Sequence, residues 1–187
     1  MKQTNNPSKS EIPLKKKILY IALFILSIYS VSCFQQLCYS EDDARHWYYK
    51  GNIKIDAGKY GEAKESFSKA IEINPNYEEA YFKRGEVYSI LSEYEKAISD
   101  FTKVIKLNPN NSEAYFKRGR IHRKKKDYNA AILDYSEALR IAPNEIKIYF
   151  YRGCAYEKNN RKDKAIEDFR RGCELGDFES CVAIQRY

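Results

Sequence analysis

The sequence predicts an all-α fold built as an array of antiparallel helix pairs. The chain aligns with itself at a spacing of 34 residues, and 17 Tyr among 187 residues are typical of a unit that has been copied. Small and aromatic residues recur within each unit at helical spacing. A proline closes each of the first three units, where it stops a helix.

The small and aromatic residues define two helices, A and B, in each unit. The four units are 44–77, 78–111, 112–145 and 146–179. Positions eight and twenty of each unit are small: Gly51, Gly85, Gly119 and Gly153, then Ala63, Ala97, Ala131 and Ala165. Positions four and twenty-four are aromatic: Trp47, Tyr81, Tyr115 and Tyr149, then Phe67, Phe101, Tyr135 and Phe169. We expect the helices to approach at Gly and Ala, with each ring contributing about 1.5–3 kcal/mol by burial.

The end of the array departs from this pattern. Pro75, Pro109 and Pro143 occupy position thirty-two of units one to three, but unit four has Asp177 there. Gly176 can cap helix B of unit four, and Asp177 can begin a further helix. The sequence therefore predicts a capping helix within 177–186, which covers the last apolar face of the array.

Two charged positions change together between units. Position seven is Arg84, Arg118 and Arg152 in units two to four, and position twenty-three is Asp100, Asp134 and Asp168. Unit one has Lys50 and Ser66, so it lacks both partners. We infer an Arg–Asp pair between helices A and B, which could form within a unit or between neighbouring units.

An aromatic, Gly, Ala, aromatic and Pro at these positions within 34 residues resemble the tetratricopeptide repeat. The resemblance covers about three-quarters of the chain and assigns 44–187 to the repeat domain. It implies a right-handed α-solenoid with a capping helix and a non-enzymatic scaffold that binds other proteins, with no cofactor. The stretch CELGDFESC also resembles the cysteine-rich Sel-like repeats, which implies a disulfide between Cys173 and Cys181. Two reduced, buried thiols are the alternative, and Cys154 is the rival partner.

The resemblance also places a partner-binding groove on helix A, at positions two, five, six, nine, twelve and thirteen. Position five is aromatic in every unit, and charged or amide residues lie beside it. The predicted groove residues are Tyr48, Asn52, Phe82, Lys83, Glu86, Phe116, Lys117, Arg120 and Phe150. Apolar anchors beside a few charges suit a peptide or helix. Alternatively, the position-five rings pack against neighbouring helices. A related subfamily clamps the C-terminal carboxylate of cytosolic chaperones. Of the residues that form this clamp, this chain has only Asn52 as an outright match.

The N-terminal segments predict export. Residues 1–17 are a basic tail, 18–34 an apolar segment and 35–43 a linker. Lys before an apolar stretch and small residues before Cys33 are typical of a secretory signal. Cys33 is a candidate lipid-attachment site, although Ser30 stands where a lipobox prefers Leu. An uncleaved anchor and a cleaved, soluble form remain alternatives. All three place the repeat domain outside the cytoplasm, in a bacterial envelope or periplasm.

The charge distribution argues against a nucleic-acid partner. Residues 1–17 hold five Lys and one Glu, which is four of the seven net positive charges, so the other 170 residues carry only three. The exception is the run KRGRIHRKKK at 117–126, which could bind an anionic polymer or lipid. A salt titration separates this alternative from protein binding. The residues indicate neither a metal site nor a small-molecule substrate, since there is no CxxC pair and only two His.

Overall fold

The computed structural model describes residues 43–187, which form helices joined by short turns. Four helix pairs of 13 or 14 residues per helix precede a last helix of seven residues. The helices are α1 (Ala44–Asp56), α2 (Tyr60–Ile73), α3 (Glu78–Ile90), α4 (Tyr94–Leu107), α5 (Ser112–Lys124), α6 (Tyr128–Ile141), α7 (Ile146–Lys158), α8 (Lys162–Glu174) and α9 (Phe178–Ile184). Each helix packs against the one before it and the one after it. The predicted all-α array of helix pairs is therefore confirmed for this part of the chain.

The two helices of each pair meet where a glycine faces an aromatic ring. A Cβ placed on Gly51 or Gly153 would lie only 2.6 Å from the ring of Phe67 or Phe169. At Gly85 the closest atom of the Phe101 ring would be 3.1 Å away. The rings at position twenty-four are fully buried, as are the alanines at position twenty. The close approach predicted from Gly, Ala and aromatic residues is confirmed.

The turn from helix A to helix B places one residue of each unit in the left-handed region. This residue is at position fifteen: Gly58, Ser92, Lys126 and Asn160, with φ from 58° to 69°. The next residue then donates its N–H to a carbonyl five residues back, as Glu93 does to Tyr88 at 2.8 Å. Gly58 and, to a lesser degree, Asn160 are residue types that this conformation favours, but Ser92 and Lys126 are not, so the sequence gives little sign of the shared turn.

The prolines end helix B as predicted. Helices α2, α4 and α6 stop at Ile73, Leu107 and Ile141, two residues before a proline. The intervening residue lies outside the helical region in each case, as at Asn74 with φ −126° and ψ 95°. A residue before proline is disfavoured in the helical region, which explains why all three helices stop there.

The Arg–Asp pairs form within units, which the sequence left undetermined. Arg84 donates two hydrogen bonds of 2.8 Å to the carboxylate of Asp100. The third nitrogen, Nη1, donates to the hydroxyl of Ser68 in the preceding unit at 3.0 Å. The other two arginines repeat this arrangement, Arg118 with Asp134 and Thr102, and Arg152 with Asp168 and Ser136. Each arginine therefore joins helix A, helix B and the unit before it.

The chain reverses between α8 and α9 so that the last helix covers α8. Gly176 has φ +95°, and the Asp177 side chain accepts a hydrogen bond from the Ser180 N–H at 2.8 Å. Ser180 is fully buried against Gly172, whose missing Cβ leaves room for it. This contact explains why unit four departs from the repeat at Gly172. The predicted capping helix is present, as the shorter α9.

A disulfide joins Cys173 on α8 to Cys181 on α9, with their Cα atoms 4.6 Å apart. The predicted pairing is therefore the one present, and Cys154 is the free cysteine of the described residues. The bond ties down a helix whose Phe178 and Val182 are largely exposed.

Replacing both bridged cysteines with Ser is expected to lower the free energy of unfolding by about 2–3 kcal/mol, because the chain-entropy model gives a short loop that value. Urea unfolding followed by circular dichroism, with and without a reductant, measures the loss. The wild-type protein should become less stable on reduction, while the Cys173→Ser, Cys181→Ser protein should not respond. Equal stability of the oxidised and reduced wild-type protein would contradict the prediction.

Candidate partner-binding surface

The position-five aromatics contact the buried rings of helix B and also retain exposed surface. The ring centroids of Phe82 and Phe101 are 5.5 Å apart, edge to face. The other pairs are similar, at 5.9 to 6.0 Å: Tyr48 with Phe67, Phe116 with Tyr135, and Phe150 with Phe169. All four position-five rings are half-buried. They therefore support the core with one side and leave the other side available at the surface.

The first helices of units one to three enclose an open cleft of about 340 Å³. Its apolar lining is formed by Ile55, Ile90, Phe101 and Ile121. Its charged lining is formed by Lys83, Glu86, Lys117, Arg120 and Lys124. Four of the predicted groove residues thus come together here: Lys83, Glu86, Lys117 and Arg120. An apolar floor beside convergent charges is what a bound peptide segment needs.

A second, smaller cleft of about 200 Å³ lies beside Tyr48, Phe82 and Lys83. It brings two of the predicted position-five rings to one surface, together with acidic residues of α3 and α5. Asn52 is half-buried on α1 and lines neither cleft. Phe150 also lies outside both, and its ring contacts Phe169 and Tyr151.

Glu86 is the centre of a charge network across two units. It accepts hydrogen bonds from Lys83, at 3.0 Å, and from Lys117. Burial opposes ionisation of Glu86, but these two hydrogen bonds outweigh it, so the pKa of Glu86 lies below its usual range. One carboxylate therefore pairs with both lysines, whereas Arg120 and Lys124 of the cleft lining form no ion pair with the residues from 43 to 187.

Arg120 interacts with aromatic rings. Its guanidinium carbon lies 5.7 Å from the Phe116 ring centroid and 5.4 Å from that of Tyr151. Arg123, one turn further along α5, lies 5.3 Å from the Tyr151 ring.

The prediction of the site omitted Arg123, Lys124, Ile55, Ser89 and Ile90. All five lie at positions twelve and thirteen of helix A, which the family pattern assigns to the groove, so the signal was available.

The basic run 117–126 is divided among several contacts. Lys117 pairs with Glu86, Arg118 with Asp134, and Lys125 with Glu95 at 2.7 Å. Lys126 occupies the left-handed turn position. The run therefore does not form one free cationic stripe, which weakens the case for an anionic polymer or lipid there.

The described residues include two side chains of types that often act in catalysis, His122 and Cys154, and the surroundings of both disfavour such a role. His122 lies with Nε2 3.8 Å from an Asp134 carboxylate oxygen, and burial lowers its pKa. Cys154 is half-buried, and burial raises the pKa of its thiol, which disfavours the nucleophilic thiolate. Within residues 43–187, no three His, Cys, Asp or Glu side chains gather closely enough to hold a metal ion.

The predictions made for the N-terminal segments fall outside the described residues. These are the basic tail 1–17, the apolar segment 18–34, the lipid-attachment site Cys33 and nearly all of the linker 35–43. From residue 43 onward, no helix has the length and apolar character needed to cross a membrane.

Stacked helix pairs with clefts between their first helices define a helical-repeat binding protein. Family models described as TPR repeat and tetratricopeptide repeat match residues 51–89, 78–111, 101–132, 119–160 and 146–177, a continuous span from 51 to 177. The chain belongs to the tetratricopeptide-repeat proteins. The matches indicate no catalytic family, and they support a scaffold for protein–protein interaction.

Solved structures of MamA proteins have the same fold. One MamA structure is 26% identical with a TM-score of 0.70, over 75% of this chain and 76% of that one. A second is 23% identical with a TM-score of 0.70, over 94% of this chain and 99% of that one. MamA of Desulfovibrio magneticus RS-1, from residue 41 to its end, is 24% identical with a TM-score of 0.69, over 73% and 77%. These likenesses confirm the solenoid fold. No curated protein sequence matches the chain significantly.

Proposed function

We propose that residues 44–187 bind a segment of a partner protein along the surface formed by α1, α3 and α5. The observation that carries this proposal is the cleft of about 340 Å³, which combines an apolar floor with convergent charges. The predicted groove residues Lys83, Glu86, Lys117 and Arg120 line it. A peptide or helix is the ligand class because the cleft is open, lined by residues of three units and partly apolar. No chemical step is needed for this role.

The test compares an arginine substitution at two exposed aliphatic residues, one inside the cleft and one outside it. Ile90 lines the cleft and is 54% exposed, whereas Leu133 on α6 is 70% exposed and lies outside both clefts. Ile90→Arg should abolish capture of partners from a membrane extract, because it places a large charge on the apolar floor. Leu133→Arg should leave capture unchanged. Quantitative mass spectrometry of the captured proteins measures both, with circular dichroism confirming that each variant is folded.

Equal capture by the wild-type and Ile90→Arg proteins would refute the cleft as the binding surface. Substituting Ala for Phe82 and Phe116 is a less clean test. Both rings contact buried rings of helix B, so the double variant should lose stability as well as binding.

We further propose that the chain is exported and tethered to a membrane through its N-terminal segment, with the repeat domain in a bacterial envelope or periplasm. Lys15–Lys17 before an apolar stretch and Cys33 after it support this proposal. Cys33→Ala is expected to release the repeat domain from the membrane fraction or to stall processing, if Cys33 carries the lipid. Fractionation and intact-mass measurement decide this: a Cys33→Ala protein that stays membrane-bound at unchanged mass would instead support an uncleaved anchor.

A further inference from the structure

Unit three differs from the other units by one buried hydroxyl group. Position twenty-four is Phe67, Phe101 and Phe169 elsewhere, but Tyr135 in unit three. The Tyr135 side chain is fully buried, and its hydroxyl makes no hydrogen bond. Burial raises the pKa of Tyr135, so the group stays a neutral donor. A buried donor without an acceptor is costly, and Phe would have avoided that cost at this position.

A second unsatisfied donor lies next to it. The Nε atom of Arg123 is shielded from solvent and has no hydrogen-bond partner. The Arg123 guanidinium lies close enough to the Tyr135 hydroxyl to interact with it directly, and the charges of Arg123 and Arg120 both oppose the rise in the pKa of Tyr135. The guanidinium carbons of both arginines lie within 5.4 Å of the centroid of the Tyr151 ring. Two guanidinium groups, a phenol donor and an aromatic face therefore meet between α5 and α7.

The arginines of this cluster differ from the structural arginines of the repeat. Arg84, Arg118 and Arg152 at position seven each hold a buried aspartate. Neither Arg120 nor Arg123 pairs with a carboxylate anywhere in residues 43–187. Glu157, on the adjacent α7, already accepts a hydrogen bond from the Tyr187 hydroxyl at 2.7 Å. The cluster thus has donors and positive charge but no carboxylate of its own.

We propose that Arg120, Arg123 and Tyr135 form a binding site for a carboxylate on an acidic segment of the partner protein. The site rests on the proposed function, because Arg120 also lines the cleft and joins it to the cluster. Guanidinium groups bind carboxylates through paired, charge-assisted hydrogen bonds, and the Tyr135 hydroxyl can donate one more. Arg123 can swing away from the Tyr151 ring to admit the ligand, and this movement breaks no hydrogen bond at Nε, which makes none.

The residues around the cluster favour an acidic protein segment over a free anion as the occupant. The adjoining cleft has an apolar floor that includes Ile90 and Ile121, which suits apolar side chains next to an acidic one. Lys124 adds a further positive charge at the same edge of the cleft. A free anion would use the arginines but gain nothing from that floor.

A random dodecapeptide library displayed on phage, selected against the full-length chain in nonionic detergent, tests the proposal. The peptides selected by the wild-type protein should be at least twofold enriched in Asp and Glu over the starting library. Arg120→Gln with Arg123→Gln should abolish the enrichment. The matched control, Arg161→Gln with Arg170→Gln, removes two exposed arginines outside the cleft and should preserve it.

Tyr135→Phe provides a second test that leaves the fold intact, because three other units have Phe at this position. It should weaken binding of a selected acidic peptide three- to tenfold, and leave binding of the same peptide with Gln in place of Glu unchanged. The proposed site is overturned if the selected peptides show no acidic enrichment, or if the enrichment survives Arg120→Gln with Arg123→Gln. In either case the proposed function still stands if Ile90→Arg blocks binding of the selected peptides. If the wild-type protein selects no peptide, the proposed function fails as well.

Discussion

Replacing Asp100 with Ser is expected to lower the free energy of unfolding by about 3–5 kcal/mol, because the change leaves a buried arginine without its carboxylate. The Arg84 side chain is only 17% exposed and that of Asp100 only 6%. Arg84 would keep one hydrogen bond of the observed three, to Ser68 in the preceding unit. Urea unfolding followed by circular dichroism measures the loss.

Unit one supplies the compensating change. It has Lys50 and Ser66 at the positions of Arg84 and Asp100, and the Lys50 ammonium lies 4.4 Å from the centroid of the Trp47 ring. The double variant Arg84→Lys, Asp100→Ser should therefore recover about half of the loss or more, because a lysine at position seven can place its charge over the aromatic ring at position four, which is Tyr81 in unit two, as Lys50 does over Trp47. A double variant as unstable as Asp100→Ser would show that the geometry of unit one does not transfer.

These pairs illustrate how far the sequence determines the fold. The matched changes at positions seven and twenty-three predicted an Arg–Asp contact, but a strict 34-residue period is equally consistent with pairing inside a unit or between units. The third contact of each arginine was not predictable. Ser68 and Thr102 look like ordinary surface residues in the sequence, and only the packing of neighbouring units brings them to the arginines.

The sequence predicted which face of the array carries the candidate site, but not how deeply each of its side chains is buried. The resemblance to the tetratricopeptide repeat placed Lys83, Glu86, Lys117 and Arg120 on one surface, and the structure brings them to one cleft. The resemblance could not decide whether position five faces a ligand or the core, because each ring contacts both a buried ring and open surface. Tyr135 was classed with the buried aromatics, since the missing acceptor for its hydroxyl is evident only in three dimensions.

A second large effect is expected at the centre of the array. Phe101→Ala should lower the free energy of unfolding by about 3–5 kcal/mol, because Gly85 opposite the ring has no side chain to fill the cavity. Phe101 is fully buried, in a cluster that includes Ala114 and Ile121 of the next unit. Ser99→Ala on the same helix is the control, because Ser99 is exposed and should change stability little.

The position of the cavity along the array should decide how far its effect spreads. Phe169 is equally buried, but its cluster contains Ala165 and Ala183, next to the end of the array. Repeat units are coupled through nearest neighbours, so Phe101→Ala should reduce hydrogen-exchange protection in α3 to α5 and uncouple the units on either side. Phe169→Ala should reduce protection mainly in α7 to α9 and leave residues 44–141 protected. Hydrogen-exchange mass spectrometry distinguishes the two patterns. A uniform loss of protection in both variants would mean that the array unfolds as a single cooperative unit, and that a cavity anywhere along it weakens every unit equally.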